Sequence, residues 1–143
     1  MIERFDAFVN GITQIYKSLF RIKNTEMSEL NLKGVHVMCL FKLRHASEEM
    51  TLTKLSEACN EDKAAMSRII SELTENGYVE ANDGKKYRAA IHLTHKGIQA
   101  SDKLDTMIEA AVNAGGAGLT EEERDTFYRV LFHISDNLKN YLS

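Results

Sequence analysis

The sequence predicts a mainly α-helical protein that carries one small β-hairpin. Long stretches of the 143 residues place apolar side chains at the three- and four-residue spacing of a helix, and proline, which breaks helix interiors, does not occur. A short alternating stretch follows the turn sequence Asn82-Asp83-Gly84, as in a hairpin. With 43% hydrophobic and 27% charged residues, the composition is that of a globular domain large enough to bury a core.

Charge, hydropathy and cysteine content narrow the class of protein. The net charge of −3 argues against a globally basic nucleic-acid-binding protein but leaves room for a local basic patch. No apolar run approaches the roughly 18 residues of a membrane span, and the N-terminus lacks the pattern of a signal peptide, so no membrane partner is expected. The two cysteines do not suggest a disulfide framework, and the sequence therefore predicts a cytoplasmic protein.

Two helices are predicted in the first third of the chain. The first covers residues 2–20, and its wide apolar stripe must be covered by the protein core or by another subunit. Residues 21–33 are polar and irregular, which predicts a connection, and an almost entirely apolar helix follows from Gly34 to about His45. The stripe on the first helix consists of Phe5, Phe8, Val9, Ile12, Ile15, Tyr16, Leu19 and Phe20.

Two short helices joined by a tight turn are predicted next. Thr53 is the expected N-cap of the first helix, with Leu52 just outside it, and Asp62 is the expected N-cap of the second. The second helix, residues 63–75, ends before Gly77, the residue type that accepts a left-handed conformation. This arrangement is the helix-turn-helix pattern. The second helix carries one apolar stripe, formed by Met66, Ile69, Ile70 and Leu73.

The hairpin follows this helix directly, which makes the pattern a winged helix. Its strands are predicted at residues 78–80 and 87–93. Thr94 is expected to cap a long helix whose buried side is formed by Ile98, Leu104, Ile108, Ala111 and Val112.

A glycine-rich stretch separates the long helix from the last one. Residues 115–118 are predicted to be a flexible joint, and Thr120 with Glu123 matches a capping box for the final helix. Apolar residues recur along that helix at Phe127, Val130, Leu131, Ile134, Leu138 and Tyr141.

Four short sequence phrases follow one another along the chain, namely Leu52–Ala58, Ala65–Leu73, Asn76–Val79 and Leu93–Gly97. Together they resemble the MarR family of winged-helix transcriptional regulators. The resemblance covers essentially the full chain and implies a winged helix-turn-helix at residues 34–97. Residues 1–33 and 98–143 would flank it as helical dimerisation regions, so that the whole forms one intertwined unit.

The resemblance also implies a function. Members of this family bind pseudo-palindromic double-stranded DNA as homodimers, most often as repressors, and a small-molecule effector can release them. One departure lies in the hairpin, where the family commonly has Asp-Arg-Arg and this sequence has Lys85-Lys86-Tyr87. Either Lys85 replaces the acidic residue or Asp83 supplies it in a shifted tip, and the positive charge is kept in both cases.

Candidate DNA-binding residues lie on the helix of residues 63–75 and at the hairpin tip. When the apolar stripe faces inward, the outward side is small and basic, which allows close approach to a groove. Lys85 or Lys86 would enter or follow the minor groove. The alternatives are an ordinary solvated helix face and a solubilising hairpin. The candidates are Lys63, Ala64, Ser67, Arg68, Ser71, Lys85, Lys86 and Arg88.

Other kinds of site have less support in the sequence. Tyr16 and His36 are candidates for an effector pocket, although core packing is the alternative for His36. The spacings His-x-x-x-His and Cys-x-x-Cys do not occur, and neither do recognisable catalytic motifs, so no metal, no cofactor and no enzymatic activity are expected. Cys39 and Cys59 are expected to be buried apolar residues. A redox-sensing regulator that uses Cys59 and a winged-helix module for protein interaction are the alternative functions.

Overall fold

The computed structural model describes residues 1–81 and 89–143 and confirms the mainly helical class. Two strands pair in antiparallel fashion, with Val79 opposite Leu93 and Ala81 opposite Ile91. The predicted turn at residues 82–84 and the first residues of the predicted second strand lie outside the described ranges. The elements are α1 (Ile2–Glu26), a short 3-10 helix (Ser28–Leu30), α2 (Gly34–Arg44), α3 (Leu52–Ala58), α4 (Lys63–Glu75), β1 (Val79–Ala81), β2 (Ile91–Leu93), α5 (His95–Gly115) and α6 (Glu121–Leu142).

The chain divides into two compact units, residues 1–107 and residues 108–143. The first unit contains a single apolar core to which α2, α3, α4, both strands and the first turns of α5 contribute. The apolar stripe predicted for α4 is part of this core. The buried apolar residues are Met27, Leu32, Val37, Cys39, Leu40, Leu52, Leu55, Met66, Ile69, Ile70, Leu73, Tyr78, Val79, Ile91, Ala100 and Leu104.

The prediction of an irregular connection over residues 21–33 is wrong for most of its length. α1 continues to Glu26, because Arg21, Lys23 and Glu26 are good helix formers although they do not extend the apolar stripe. The chain then turns at Asn31, whose φ of 54° is left-handed. Met27 and Leu32 flank this turn and are only 2% and 3% exposed. They anchor the segment on the core, and their isolated positions in the sequence carry no periodic signal.

The N-cap of α3 is Thr51 rather than the predicted Thr53. The Thr51 hydroxyl accepts a hydrogen bond from the Lys54 amide at 3.3 Å, and Leu52 is the buried first residue of the helix. The helix begins here because Met50 is held in extended conformation by Ile91, whose amide donates to the Met50 carbonyl at 2.8 Å.

Thr94 caps α5 as predicted, since its hydroxyl accepts a hydrogen bond from the Gly97 amide at 3.0 Å. The predicted buried side of α5 is only partly correct. Leu104 is buried, but Ile98 and Val112 are exposed, and the remaining buried positions are Gly97, Ala100 and Ser101. Gly97 lies on the buried side because the first turn of α5 approaches the Tyr78 backbone closely.

The second unit contains the capping box predicted for α6. The Thr120 hydroxyl accepts from the Glu123 amide at 3.2 Å, and the Glu123 carboxylate accepts from the Thr120 amide at 2.9 Å. The preceding glycine segment forms a defined turn, in which Gly118 has a φ of 81° and Arg124 donates to the Gly116 carbonyl at 3.0 Å.

In the described ranges, no helix is both long enough and apolar enough to cross a membrane.

Candidate nucleic-acid interface

The orientation of α4 follows from its two ends and its buried stripe. Asp62 caps the helix as predicted, and its carboxylate accepts a hydrogen bond from the Ala65 amide at 2.7 Å. Gly77 ends it with a φ of 76°. Because the apolar stripe faces the core, the opposite side of α4 projects from the domain.

The structure brings the predicted recognition-helix residues together on this outer side. Lys63, Ala64, Arg68 and Ser71 are exposed, and Ser67 is partly buried. The small side chains leave room for a close approach, and the two cations provide positive charge beside them. This face is able to contact phosphates and base edges.

The turn between α3 and α4 is tight. Asn60 adopts a φ of 54°, a left-handed conformation that asparagine tolerates better than most residues. The Glu61 amide donates to the Ser56 carbonyl at 2.9 Å, which closes the turn. The two helices are thereby joined in the helix-turn-helix arrangement predicted from the sequence.

A cluster of contacts connects the end of α4 to the start of α5, and we call it the helix–hairpin joint (Asn76–Tyr78 and Thr94–Gly97). The Thr94 hydroxyl donates to the Gly77 carbonyl at 2.6 Å, and the Thr94 amide donates to the Tyr78 carbonyl at 3.0 Å. The Lys96 ammonium donates to the Asn76 carbonyl at 2.6 Å and lies 4.4 Å from the centre of the Tyr78 ring.

Gly97 completes this joint because only a residue without a side chain fits there. A Cβ atom at Gly97 would overlap the carbonyl oxygen of Tyr78 and lie 3.1 Å from its carbonyl carbon. Two of the phrases that resemble the MarR family, Asn76–Val79 and Leu93–Gly97, therefore meet in space. Their residues join the end of α4 to the start of α5.

The base of the hairpin is defined, with Glu80 paired opposite His92. The predicted tip residues Lys85, Lys86 and Arg88 lie outside the described residues, as does Asp83. Their contact with DNA stays a prediction.

His36 makes a contact that sequence reasoning did not find. Its Nδ1 accepts a hydrogen bond from the Lys33 amide at 3.0 Å, so the ring proton is on Nε2. Nε2 therefore donates to the Glu72 carboxylate on α4, at 2.6 Å. The His36 side chain is 4% exposed and the Glu72 side chain 38%. The hydrogen bond from His36 lowers the pKa of Glu72 below its ordinary value, and the nearby charges of Lys33 and Arg68 act in the same direction.

His36 packs within the domain, where both ring nitrogens are hydrogen-bonded, which agrees with the alternative that the sequence left open. Its contact with an effector stays a prediction. Tyr16, the other candidate for an effector pocket, is exposed on α1. A shallow cavity of about 450 Å³ opens beside β2, where Met50, Leu93 and Ile98 line part of it, and neither Tyr16 nor His36 belongs to its lining.

Cys39 is buried, as expected, whereas Cys59 is only partly buried. Burial raises the pKa of Cys39 well above its ordinary value. Burial also raises the pKa of Cys59, against the opposing effect of the Lys42 charge. A raised pKa leaves little thiolate at neutral pH, which disfavours a redox switch at Cys59. In the described ranges, no three histidine, cysteine or acidic side chains lie close enough to hold a metal ion together.

Comparison with known proteins identifies the class to which this domain belongs. The family model of the winged helix DNA-binding domain matches residues 32–97, which span α2 to the start of α5. The chain therefore contains a winged-helix DNA-binding domain. No curated protein matches the sequence.

Solved structures extend the comparison to almost the whole chain. A MarR protein from Peptoclostridium difficile DA00132 has a TM-score of 0.82 at 20% identity, covering 94% of this chain and 88% of that one. A putative MarR family regulator from Listeria monocytogenes complexed with 26mer DNA has a TM-score of 0.81 at 24% identity, with coverages of 92% and 89%. Staphylococcus aureus MarR in complex with salicylate and kanamycin has a TM-score of 0.83 at 15% identity, with coverages of 96% and 94%. The chain has the fold of the MarR regulators, and the resemblance inferred from the sequence phrases is confirmed in fold.

Proposed function

We propose that this protein is a sequence-specific, DNA-binding transcriptional regulator that acts as a homodimeric repressor on pseudo-palindromic operators. The observation that carries the proposal is the outer face of α4. On a winged-helix domain, that helix presents Lys63, Ala64, Arg68 and Ser71 to solvent while its apolar stripe is buried. Such a helix lies in the major groove, with its N-terminal residues nearest the bases.

The exposed cations distinguish this proposal from a module for protein interaction. Lys63 and Arg68 project from the side of α4 that carries no core contact, and the hairpin sequence adds Lys85 and Lys86. A winged-helix surface that had lost DNA binding would have no physical need to concentrate positive charge there in a chain of net charge −3.

The homodimer is supported by apolar surface at the two ends of the chain. α1 exposes the whole stripe that the sequence predicted, including Phe5, Phe8 and Ile12. α6 separately exposes Phe127 and Leu138. Apolar surface of this extent marks an interaction site, and a second copy of the same chain supplies the matching faces. The dimer would place its two recognition helices about 34–36 Å apart, one turn of DNA.

A binding experiment tests the DNA interface. Fluorescence anisotropy would measure affinity for the DNA upstream of the protein's own gene, at several salt concentrations. Arg68→Ala and Lys86→Ala are each expected to weaken binding by roughly tenfold and to reduce the salt dependence, because a cation near phosphate or guanine is lost. Lys103→Ala, which removes an exposed cation on α5, is the matched control and is expected to bind as the wild type does.

Equal binding by the wild type and by both interface variants would contradict the assignment of these residues. The dimer is tested independently by sedimentation at micromolar concentration, where a monomer would refute it. Ile12→Asp is expected to dissociate the dimer, because it places a charge in the apolar stripe of α1.

Release by an effector is the remaining part of the proposal. The S. aureus MarR structure holds salicylate, so salicylate is the first probe for this chain. A ligand shifts a dimer between two conformations only through its different affinities for them. Tyr16 on α1 is the candidate contact, and Tyr16→Ala is expected to abolish any effect of salicylate. Unchanged operator affinity and unchanged helix spacing at saturating salicylate would refute release by this compound.

A further inference from the structure

Arg68 and Glu72 are neighbours of opposite charge on the recognition helix. They stand four positions apart on α4, where side chains are about 5–6 Å from one another at their Cβ atoms. An ion pair between them would occupy the guanidinium that the proposed function assigns to DNA. It would also hold a carboxylate beside the phosphates.

The structure shows Glu72 engaged elsewhere. Its Oε2 is 2.6 Å from Nε2 of His36, on α2. Among the ion pairs of residues 1–81 and 89–143, none involves Arg68. Glu72 is thus directed towards the core side of α4, and Arg68 remains on the outer side.

We propose that His36 is a positioning residue that holds the Glu72 carboxylate away from Arg68 and thereby leaves Arg68 available to DNA. This inference rests on the proposed function, because it concerns the same interface. It assigns the buried histidine a role in affinity in addition to its role in packing.

His36 is a better hydrogen-bond partner for Glu72 than Arg68 is, because the His36 ring is already ordered. The side chain is buried, and the Lys33 amide fixes Nδ1 and therefore the direction in which the Nε2 proton points. Arg68 is an exposed, flexible side chain that would lose rotamer freedom on pairing with Glu72. An arginine four residues before a glutamate is also the weaker of the two possible orders on a helix.

The electrostatics of Glu72 agree with this arrangement. A glutamate carboxylate is charged at neutral pH, and the hydrogen bond from His36 lowers the pKa of Glu72 further, with a smaller effect of the nearby Lys33 and Arg68 charges in the same direction. A charged carboxylate released from His36 would be both a partner for Arg68 and a source of repulsion for phosphate.

The test measures DNA affinity by anisotropy at low salt, where surface charges act most strongly. His36→Phe retains an aromatic ring of similar shape but has no donor for Glu72. We expect it to bind DNA about two- to fourfold more weakly than the wild type, which matches the strength of one exposed pair. His36→Gln, whose side-chain amide can still donate to Glu72, is the conservative variant and is expected to recover most of this loss.

The decisive variant is the double substitution His36→Phe with Glu72→Gln. If His36 acts by restraining Glu72, removing the charge restores wild-type affinity although the contact with residue 36 is still absent. If His36 only supports the fold, the double variant binds as weakly as His36→Phe or more weakly, and the inference is overturned.

A second measurement applies if His36→Phe does not fold, as judged by circular dichroism. Glu72→Gln alone is expected to bind DNA no more than about twofold more tightly than the wild type, because the carboxylate is already hydrogen-bonded to His36 and forms no ion pair with Arg68. A gain of fivefold or more would mean that Glu72 competes for Arg68 in the wild type and would overturn the inference.

The two proposals fail differently. A wild type that binds no DNA contradicts the proposed function and this inference with it. A wild type that loses affinity on Arg68→Ala but not on His36→Phe contradicts the inference alone.

Discussion

Replacing Gly97 by alanine is expected to destabilise the protein through the helix–hairpin joint. The new Cβ would overlap the carbonyl oxygen of Tyr78 and lie 3.2 Å from Cδ2 of Leu93. An ordinary contact requires the first turn of α5 to move away from Tyr78 by about 1 Å or more. The hydrogen bonds from Thr94 to Gly77 and Tyr78 would not all survive such a displacement.

The size of the effect follows from these contacts. Overpacking costs about 1–3 kcal/mol, and one lost hydrogen bond costs about 1 kcal/mol more. The free energy of unfolding should therefore fall by about 2–4 kcal/mol. For a chain of 143 residues this corresponds to a fall in Tm of roughly 5–15 °C.

Thermal unfolding followed by circular dichroism at 222 nm measures this change, at equal protein concentration for every variant because assembly affects Tm. Gly115→Ala is the matched control, since a Cβ at Gly115 meets no atom within 4 Å, and its Tm is expected to stay close to that of the wild type. A Gly97→Ala protein that melts within about 1 °C of the wild type would refute the reasoning.

Three further predictions concern buried and ionisable groups. The buried Ser101 hydroxyl has no hydrogen-bond partner among the described residues, whereas the Ser56 hydroxyl donates to the Leu52 carbonyl. Ser101→Ala should therefore raise the free energy of unfolding by about 1 kcal/mol, and Ser56→Ala should not raise it. Equal changes in Tm for the two variants would contradict this. Because the pKa of Glu72 is lowered from 4.5, its contribution to stability is complete above about pH 4.5 and is lost as the pH falls through the folded-state pKa. Glu72→Gln should therefore lose less stability than the wild type between pH 7 and pH 3 in urea titrations, and parallel losses would exclude this contribution. Since burial raises the pKa of Cys59 and of Cys39, both thiols should react with iodoacetamide more slowly than glutathione does at pH 7. Mild peroxide should leave DNA binding intact. Rapid labelling of Cys59 would favour the alternative of a redox-sensing regulator.

Local signals in the sequence were sufficient to predict the recognition helix. The Asp62 cap, the stripe that includes Met66 and Leu73, and the left-handed Gly77 all act within a few residues of α4, and each is found where it was expected. The same holds for the capping box at Thr120 in α6.

Features that depend on distant residues could not be predicted in this way. Thr51 caps α3 because Met50 pairs with Ile91, forty-one positions further along the chain. The His36–Glu72 contact joins residues 36 positions apart, and no sequence pattern around either residue predicts that the two side chains meet. The Leu93–Gly97 phrase contributed to the resemblance to the MarR family. The need for glycine at position 97, however, comes from the close approach of the Tyr78 backbone, which only the folded chain reveals.

The outer face of α4 has a consequence for how such proteins diversify. In the described part of the chain, the side chains of Lys63, Ala64, Arg68 and Ser71 form none of the hydrogen bonds that hold α4 in place. Under the proposed function, mutations at these four positions would alter nucleotide preference without removing a hydrogen bond that holds α4 in place. On that proposal, a duplicated gene would acquire a new target site through a few substitutions on this face, while the buried apolar stripe of α4 stays the same.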